Sequence, residues 1–348
     1  MYYLLAFAAL SFLIVVHEGG HYFVARWCRM RIERFSIGFG PAVFKRKAKK
    51  TGTTFQLAPI LFGGFVEIRG MNIAEDVDPD DPSSYPNRPA WQRFLTIFAG
   101  PATNYVSAIV LAMAVFAFHG IDEPRWYGVN DVMEGYDAHG KLEKGDRIVA
   151  VDHGELLIGK GATLIERVNA AHGAPLTLTI ERNGAPRDIT ITPRLDKDGD
   201  SKPIWRIGVK PEPQFEAVDV GLLTAARTAL RYPIEQTKAD LIGIYGIIFG
   251  NERADIGGPK RMIDEFHKAF SLGLVPGLKL LMSLSVWLAL FNLLPVPALD
   301  GGRLVFLGYE MITRRRANSK IEATVHMAGI MVLFVVMIVV TLIDLHVL

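Results

Sequence analysis

Five consecutive residues, His17, Glu18, Gly19, Gly20 and His21, carry the clearest chemistry in the chain. On a helix, positions i and i+4 lie on one face, so the two imidazoles can share one metal ion. Glu18 follows the first imidazole and can take a proton from a metal-bound water as the general base of a hydrolysis. Two histidines leave such a centre incomplete, because a hydrolytic zinc site usually has three protein ligands and one open position. Asp300 is the third candidate. It closes the segment NLLPVPALDGG at 292–302, where Pro295 and Pro297 interrupt a helix and Gly301-Gly302 permits a tight turn at the carboxylate. Glu310 and His326 are its rivals, and His326 suits a hydrogen bond between helices better than a metal. The plainer alternatives are an ordinary turn aspartate at 300 and a helix that ends at Val16, leaving His17 in a wet loop. Tyr22, Phe23 and Val24 continue the apolar pattern to Arg26, which argues against the second. A single cysteine, Cys28, excludes a cysteine-rich zinc site and any internal disulfide.

The element that must hold His17 and His21 is greasy. Sixteen uncharged residues, Met1 to Val16, run up to it, and ionisable groups in such a setting mark function because placing them in a bilayer is costly. Of the 348 residues, 50% are hydrophobic and 21% charged, with 38 Lys plus Arg against 36 Asp plus Glu. That excludes a wholly disordered chain, and the net charge of +2 argues against nucleic acid as a partner. Four stretches reach the roughly 20 apolar residues that span a bilayer. No basic segment precedes the first, and no small-residue cleavage site ends it, so it reads as a span rather than a signal peptide. The segment 28–93 holds 11 basic and 7 acidic residues, 297–321 holds 5 and 2, and 119–271 holds 20 and 24. Basic short loops stay cytoplasmic, which turns the middle region and both termini outward. From Met1 to His17 a helix rises roughly 24 Å, which sets the metal toward the cytoplasmic side.

Between the second and third spans the pattern changes to period two. DRIVAVD at 146–152, LTLTIER at 176–182 and RDITITP at 187–193 read as strands, with a helical run over 163–171. Gly145-Asp146, His153-Gly154 and Asn183-Gly184 read as turns, and IERNGAPRDITI as a hairpin. The fold class is therefore a polytopic α-helical membrane protein with four transmembrane helices and an inserted β-rich domain. Its order is a first span at 1–27, a cytoplasmic loop at 28–93, a second span at 94–118 and the β-rich domain at 126–211. An amphipathic segment on the outer membrane surface follows at 212–271, broken in two at Pro233. The third span is 272–296, the cytoplasmic loop with Asp300 and its basic tail is 297–321, and the fourth span is 322–348.

The order KGDRIVAVDHGELL, helix, hairpin resembles a PDZ domain of the protease-associated type, although the loop near Tyr127–Val132 matches a peptide-binding turn poorly. HEGGH together with NLLPVPALDGG resembles the site-2 protease family of intramembrane zinc metalloproteases. RFSIGFGP at 34–41, PILFGGFVEIRGM at 59–71, RPAWQRFLTIFAGPATN at 88–104 and IGGP at 256–259 are similar to its bacterial regulator-of-sigma-E subgroup. Many of that subgroup carry two tandem PDZ domains, whereas this chain has room for one. The resemblance implies Zn2+ held by His17, His21 and Asp300, Glu18 as the catalytic glutamate, and Asn292 as a donor to the substrate backbone or oxyanion. It implies a re-entrant β-hairpin in which Gly63, Gly64, Phe65 and Val66 pair with an unwound substrate strand. Asn104 in GPATN fits an interhelical hydrogen bond as well as a catalytic one. The implied function is cleavage, in the bacterial inner membrane, of single-span proteins such as anti-sigma factors or remnant signal peptides, after a first extracytoplasmic cut. A peptide ligand of the PDZ domain is a further implied partner. The alternative is a membrane-anchored PDZ adaptor with a non-catalytic metal site.

Overall fold

Long apolar runs and short alternating ones sort into separate helices and strands. The computed structural model describes residues 2–72, 75–155, 164–196, 203–250 and 257–344. In chain order the elements are α1 (Tyr2–Trp27), β1 (Ile32–Phe39), β2 (Phe44–Lys47), β3 (Thr54–Leu57), β4 (Ile60–Ile68) and α2 (Ala90–Phe118). Then come β5 (Ile121–Val132), β6 (Arg147–Val151), β7 (Gly154–Glu155), α3 (Leu164–Ala170), β8 (Leu176–Arg182), β9 (Ala185–Ile191), β10 (Arg194–Asp196), β11 (Ile204–Arg206) and β12 (Val209–Val218). The chain ends with α4 (Leu222–Phe249), α5 (Pro259–Leu272), α6 (Leu274–Leu293), α7 (Asp300–Thr313) and α8 (Ser319–Asp344). Residues 1–118 with 221–348 form one unit, and His119–Val220 form another.

In the first unit, α1, α2, α6 and α8 are long and apolar enough to cross a membrane, which makes the chain a multi-pass membrane protein. The helix α2 is the hub, packing against α1, α4, α6 and α7. It meets α1 closely because two glycines remove side chains where the backbones approach. A Cβ at Gly20 would overlap the Ala99 carbonyl, and one at Gly100 would overlap the His21 ring. On its other side, the Ser107 and Ser285 hydroxyls lie within hydrogen-bond distance of each other and each 2.9 Å from the Asn104 carbonyl, so one donates to the carbonyl and the other to its neighbour's oxygen. Such polar ties suit helices in lipid, where apolar contact alone provides little preference for one neighbour over another. Below α1 lies a four-stranded sheet in the order β2-β3-β1-β4, its β1 parallel to β3 and antiparallel to β4.

Two sequence expectations change in this unit. The PILFGGFVEIRG segment is no hairpin. Gly63 and Gly64 stay in extended backbone inside one nine-residue strand, β4, which pairs with β1 and forms the edge of the sheet. Nor does Pro233 break the helix that follows the β-rich unit, for α4 runs through it without interruption. Pro233 is buried on the face that also carries Ala225 and Ala229, and packing along α2 holds the helix together across the missing hydrogen bond. Of the IGGP segment, Ile256 lies outside the described residues.

The second unit is a sheet in the order β12-β5-β6-β8-β9, with β7 added to β6, around a core that includes Val129, Ile148, Val151, Leu178, Ile180 and Ile191. The expected hairpin is β8–β9, turning through Asn183 and Gly184 at φ 53° and 78°. The turn expected at His153-Gly154 falls one residue earlier. Asp152 and His153 take φ 49° and 57°, and Gly154 is already in β7, because a two-residue turn of this type needs both central residues at positive φ. Residues 156–163, including Thr163 and the end of KGDRIVAVDHGELL, lie outside the described residues. The unit also begins before 126 and ends after 211, since β5 and β12 pair from Ile121↔Val218 to Val132↔Val209. Pro124, Pro211 and Pro213 disguise both strands. They are tolerated because β12 is an edge and the β5 residues paired with β6 are Tyr127 and Gly128.

Inside this unit Arg182 grips Asp146 with two bonds of 2.7 Å, and the Glu143 amide adds a third at 2.8 Å. Burial opposes the charge on Asp146, yet these bonds outweigh it and hold the carboxyl below its usual range. Stability from this pair is therefore present above the ordinary carboxylate pKa of about 3.9 and lost as pH falls through the lower folded value. Asp146→Asn is expected to cost the unit about 3 kcal/mol at neutral pH and to flatten this acid limb, read as hydrogen exchange of the β6 and β8 amides against pH. In the first unit, Gly20→Ala is expected to cost about 1–3 kcal/mol of overpacking in thermal unfolding of the detergent-solubilised protein. Gly19→Ala, whose Cβ would meet only Phe23 at 3.9 Å, is expected to be neutral or stabilising.

Candidate metal centre

The apolar helix α1 carries His17 and His21 on its α2-facing side, one turn apart. Their Nε2 atoms lie 3.2 Å from each other, and 3.2 and 3.3 Å from Oδ2 of Asp300 at the start of α7. Three atoms each about 2.0–2.1 Å from one tetrahedral zinc ion lie roughly 3.3 Å apart, so the donor set has the right size and chemistry. Among the described residues, this is the one cluster of three or more such side chains that could hold a metal. The Asp300 Oδ2 is buried and has no hydrogen-bond donor, as a carboxylate oxygen reserved for a cation would be.

Neighbouring groups orient both rings. His21 Nδ1–H donates to the Thr96 carbonyl at 2.8 Å, which leaves the Nε2 lone pair facing the cluster. The Asn104 amide lies 3.1 Å from His17 Nδ1. The nearer atom is Nδ2 and the buried Oδ1 has no donor; turned over, the amide would accept Nδ1–H through Oδ1 and leave the same lone pair free on His17. Both partners come from α2, so the glycine-mediated approach of α1 and α2 sets the ring geometry. Thr96 could not have been found by residue type, since it acts through its backbone.

Asp300 arrives by a different route. Leu294 ends α6, and Pro295 and Pro297 carry the chain through an irregular turn to Ala298, which has φ 78°. Gly301 and Gly302 let α7 start directly against this turn, for a Cβ at either would overlap backbone carbonyls of 293–296. The rival acids and bases have other partners. Glu310 pairs with buried Arg93 and with Arg316 at 3.5 Å, tying the end of α7 to the start of α2. His326 accepts the Ala298 N–H at its Nδ1, 3.1 Å away.

A cavity of about 290 Å³ opens on the cluster, bordered by His17, Glu18, His21, Asp300, Asn292, Arg303 and the β4 residues Phe65, Val66 and Ile68. Glu18 sits beside Gly64 and hydrogen-bonds the Val66 backbone, which fixes its carboxylate between the strand and the metal donors. Asn292 borders the cavity while its Nδ2 donates to Leu288 O at 2.9 Å. Gly63 lies farther along β4 under the Phe39 ring. The arrangement can hold one divalent ion, put a carboxylate beside a coordinated water, and set an edge strand alongside both.

The model of peptidase family M50 matches residues 5–336. Among similar proteins, one of Rickettsia conorii is 32% identical over 346 residues, covering 95% of each chain. One of Clostridium perfringens is 31% identical over 348 residues, covering 99% of this chain and 98% of its own. One of Brucella suis is 33% identical over 328 residues, covering 87% and 84%. All three bear the name "putative zinc metalloprotease".

Asn104→Ala is expected to weaken zinc binding about 10–100-fold in chelator competition, whereas Asn104→Asp, which keeps an acceptor, retains most of it. Wild-type zinc affinity in the alanine variant would refute the orienting role.

Proposed function

The chain belongs to peptidase family M50, the site-2 proteases, and is a zinc metalloprotease; from that premise we propose that it cuts single-span membrane proteins in or near their membrane-spanning segments. The observation that carries this reading is a three-donor metal cluster, two of its donors on an apolar helix, with an acid and an edge strand at its side. His17, His21 and Asp300 are the zinc ligands. Bound there, zinc supplies a Lewis acid that makes a coordinated water acidic enough to attack at neutral pH. Glu18 takes the proton of the attacking water and passes it to the leaving amine. Asn292, at the cavity wall, donates its amide to the substrate backbone or to the developing oxyanion.

A peptide bond inside a helix is shielded by its own hydrogen bonds, so the substrate must be unwound before attack. The Gly63–Val66 stretch of β4 is the strand that receives it, because an edge strand offers unpaired backbone groups to an extended peptide. The basic loops at 28–93 and 297–321 face the cytoplasm, with both termini outside and the active site toward the cytoplasmic side of a bacterial inner membrane. The β-rich unit is then extracytoplasmic. It is PDZ-like, and it excludes substrates with bulky outer domains until a first cut has removed them, with anti-sigma factors and remnant signal peptides as the substrate classes. The polar and apolar faces of α4 and α5, which follow β12, fit the outer membrane surface.

Glu18→Gln is expected to lower cleavage of a model single-span substrate by about 100-fold or more while bound zinc stays near one per chain. Equal cleavage by both forms would end this proposal. Because Ile121 pairs with Val218, the unit can be replaced by a short linker between those positions. That variant is expected to cleave full-length and pre-trimmed substrates alike, and continued discrimination between them would remove the size-exclusion role.

A further inference from the structure

The turn that delivers Asp300 is strained at Ala298. A left-handed backbone is uncommon for residues with a Cβ, and alanine has no polar side chain with which to stabilise it locally. At φ 78°, Ala298 is the only alanine among the described residues at positive φ. Something outside the turn must hold it there, and the last apolar helix does so at two points. His326 Nδ1 accepts the Ala298 N–H at 3.1 Å. One turn farther along α8, Gly329 lies against Pro297, where a Cβ would come within 2.7 Å of Pro297 Cβ, C and O.

The contact is unusual for its helix. His326 is the one buried side chain of α8 among the described residues, whereas the helix's most apolar stretch has none buried. Ala298 lies two residues before Asp300 and borders the same cavity. A change in its backbone angles therefore re-aims the carboxylate that stands 3.2 and 3.3 Å from the two imidazoles.

We propose that His326 is a positioning residue for Asp300: by holding the Ala298 amide it keeps the turn left-handed and links α8 to the metal centre. The proposal rests on the reading of Asp300 as a metal ligand. It makes α8 more than an anchor, because displacement of this helix would loosen one of three ligands without touching the other two.

The test uses the full-length protein in detergent, with zinc affinity measured by chelator competition and the visible spectrum of the cobalt(II)-substituted form. Asparagine can present Oδ1 where histidine presents Nδ1, whereas glutamine presents its oxygen one bond farther out. His326→Asn is expected to keep zinc affinity within about 3-fold and to leave the cobalt spectrum unchanged. His326→Gln and His326→Ala are expected to lose about 10–100-fold, the range for removing an outer support of a metal ligand, with an altered spectrum. Ala298→Gly added to His326→Ala is expected to recover most of that loss, because glycine takes the left-handed conformation unaided. Equal affinity in the asparagine, glutamine and alanine variants would overturn the proposal, as would failure of Ala298→Gly to rescue. Asp300→Asn separates the two readings. If it leaves zinc affinity unchanged, the ligand assignment fails; if it abolishes binding while His326→Ala does not weaken it, only the positioning role fails.

Discussion

The close approach of α1 to α2 is the contact on which the rest of the molecule depends. Gly20 and Gly100 remove the side chains that would keep the two backbones apart. Only at that separation can the Thr96 carbonyl receive His21 Nδ1–H, and the Asn104 amide meet His17. The HExxH spacing puts two imidazoles on one face, but rings on a free helix rotate. Packing against α2 turns two side chains into two fixed lone pairs, which a metal site needs if its ligands are to bind without a large ordering cost.

The third donor of the cluster is held by different physics. His17 and His21 belong to a regular helix, whereas Asp300 follows two prolines and a left-handed alanine, where local preferences oppose the observed path. Neighbouring elements over-determine that path: glycines 301 and 302 accept backbone carbonyls at close range, and α8 covers the turn. Strain of this kind persists where the surroundings leave no alternative, and it concentrates at functional sites. The centre thus joins a rigid half to a half braced from outside.

The β-sheet completes the site by position. Because β4 is the edge of its sheet and runs beside α1, its unpaired backbone lies alongside Glu18 and the metal donors. Extended backbone with free hydrogen-bonding groups is costly in lipid unless protein or water covers it. Placing the strand next to Glu18 sets protein along one side of it and gives the Glu18 carboxylate the Val66 backbone as a partner.

Much of this was legible in residue order. The i,i+4 histidines with their glutamate, the four apolar runs and the Asn183-Gly184 hairpin are local patterns, set by residues within a turn or two of one another. The sequence by itself also singled out Asp300 among the remaining acids, through the prolines and glycines around it. It could not exclude Glu310, because only the fold brings Arg93 and Arg316 to that carboxylate. Three further decisions belonged to the tertiary structure. The PILFGGFVEIRG segment resembles a re-entrant hairpin, yet its pairing with β1 makes it one strand. Pro233 reads as a break, yet packing on α2 carries the helix through it. Prolines hide β5 and β12, whose pairing closes the β-rich unit. At Pro233 a local penalty of about 3 kcal/mol is outweighed by long-range packing, and in all three cases the deciding contacts lie outside any short window of sequence.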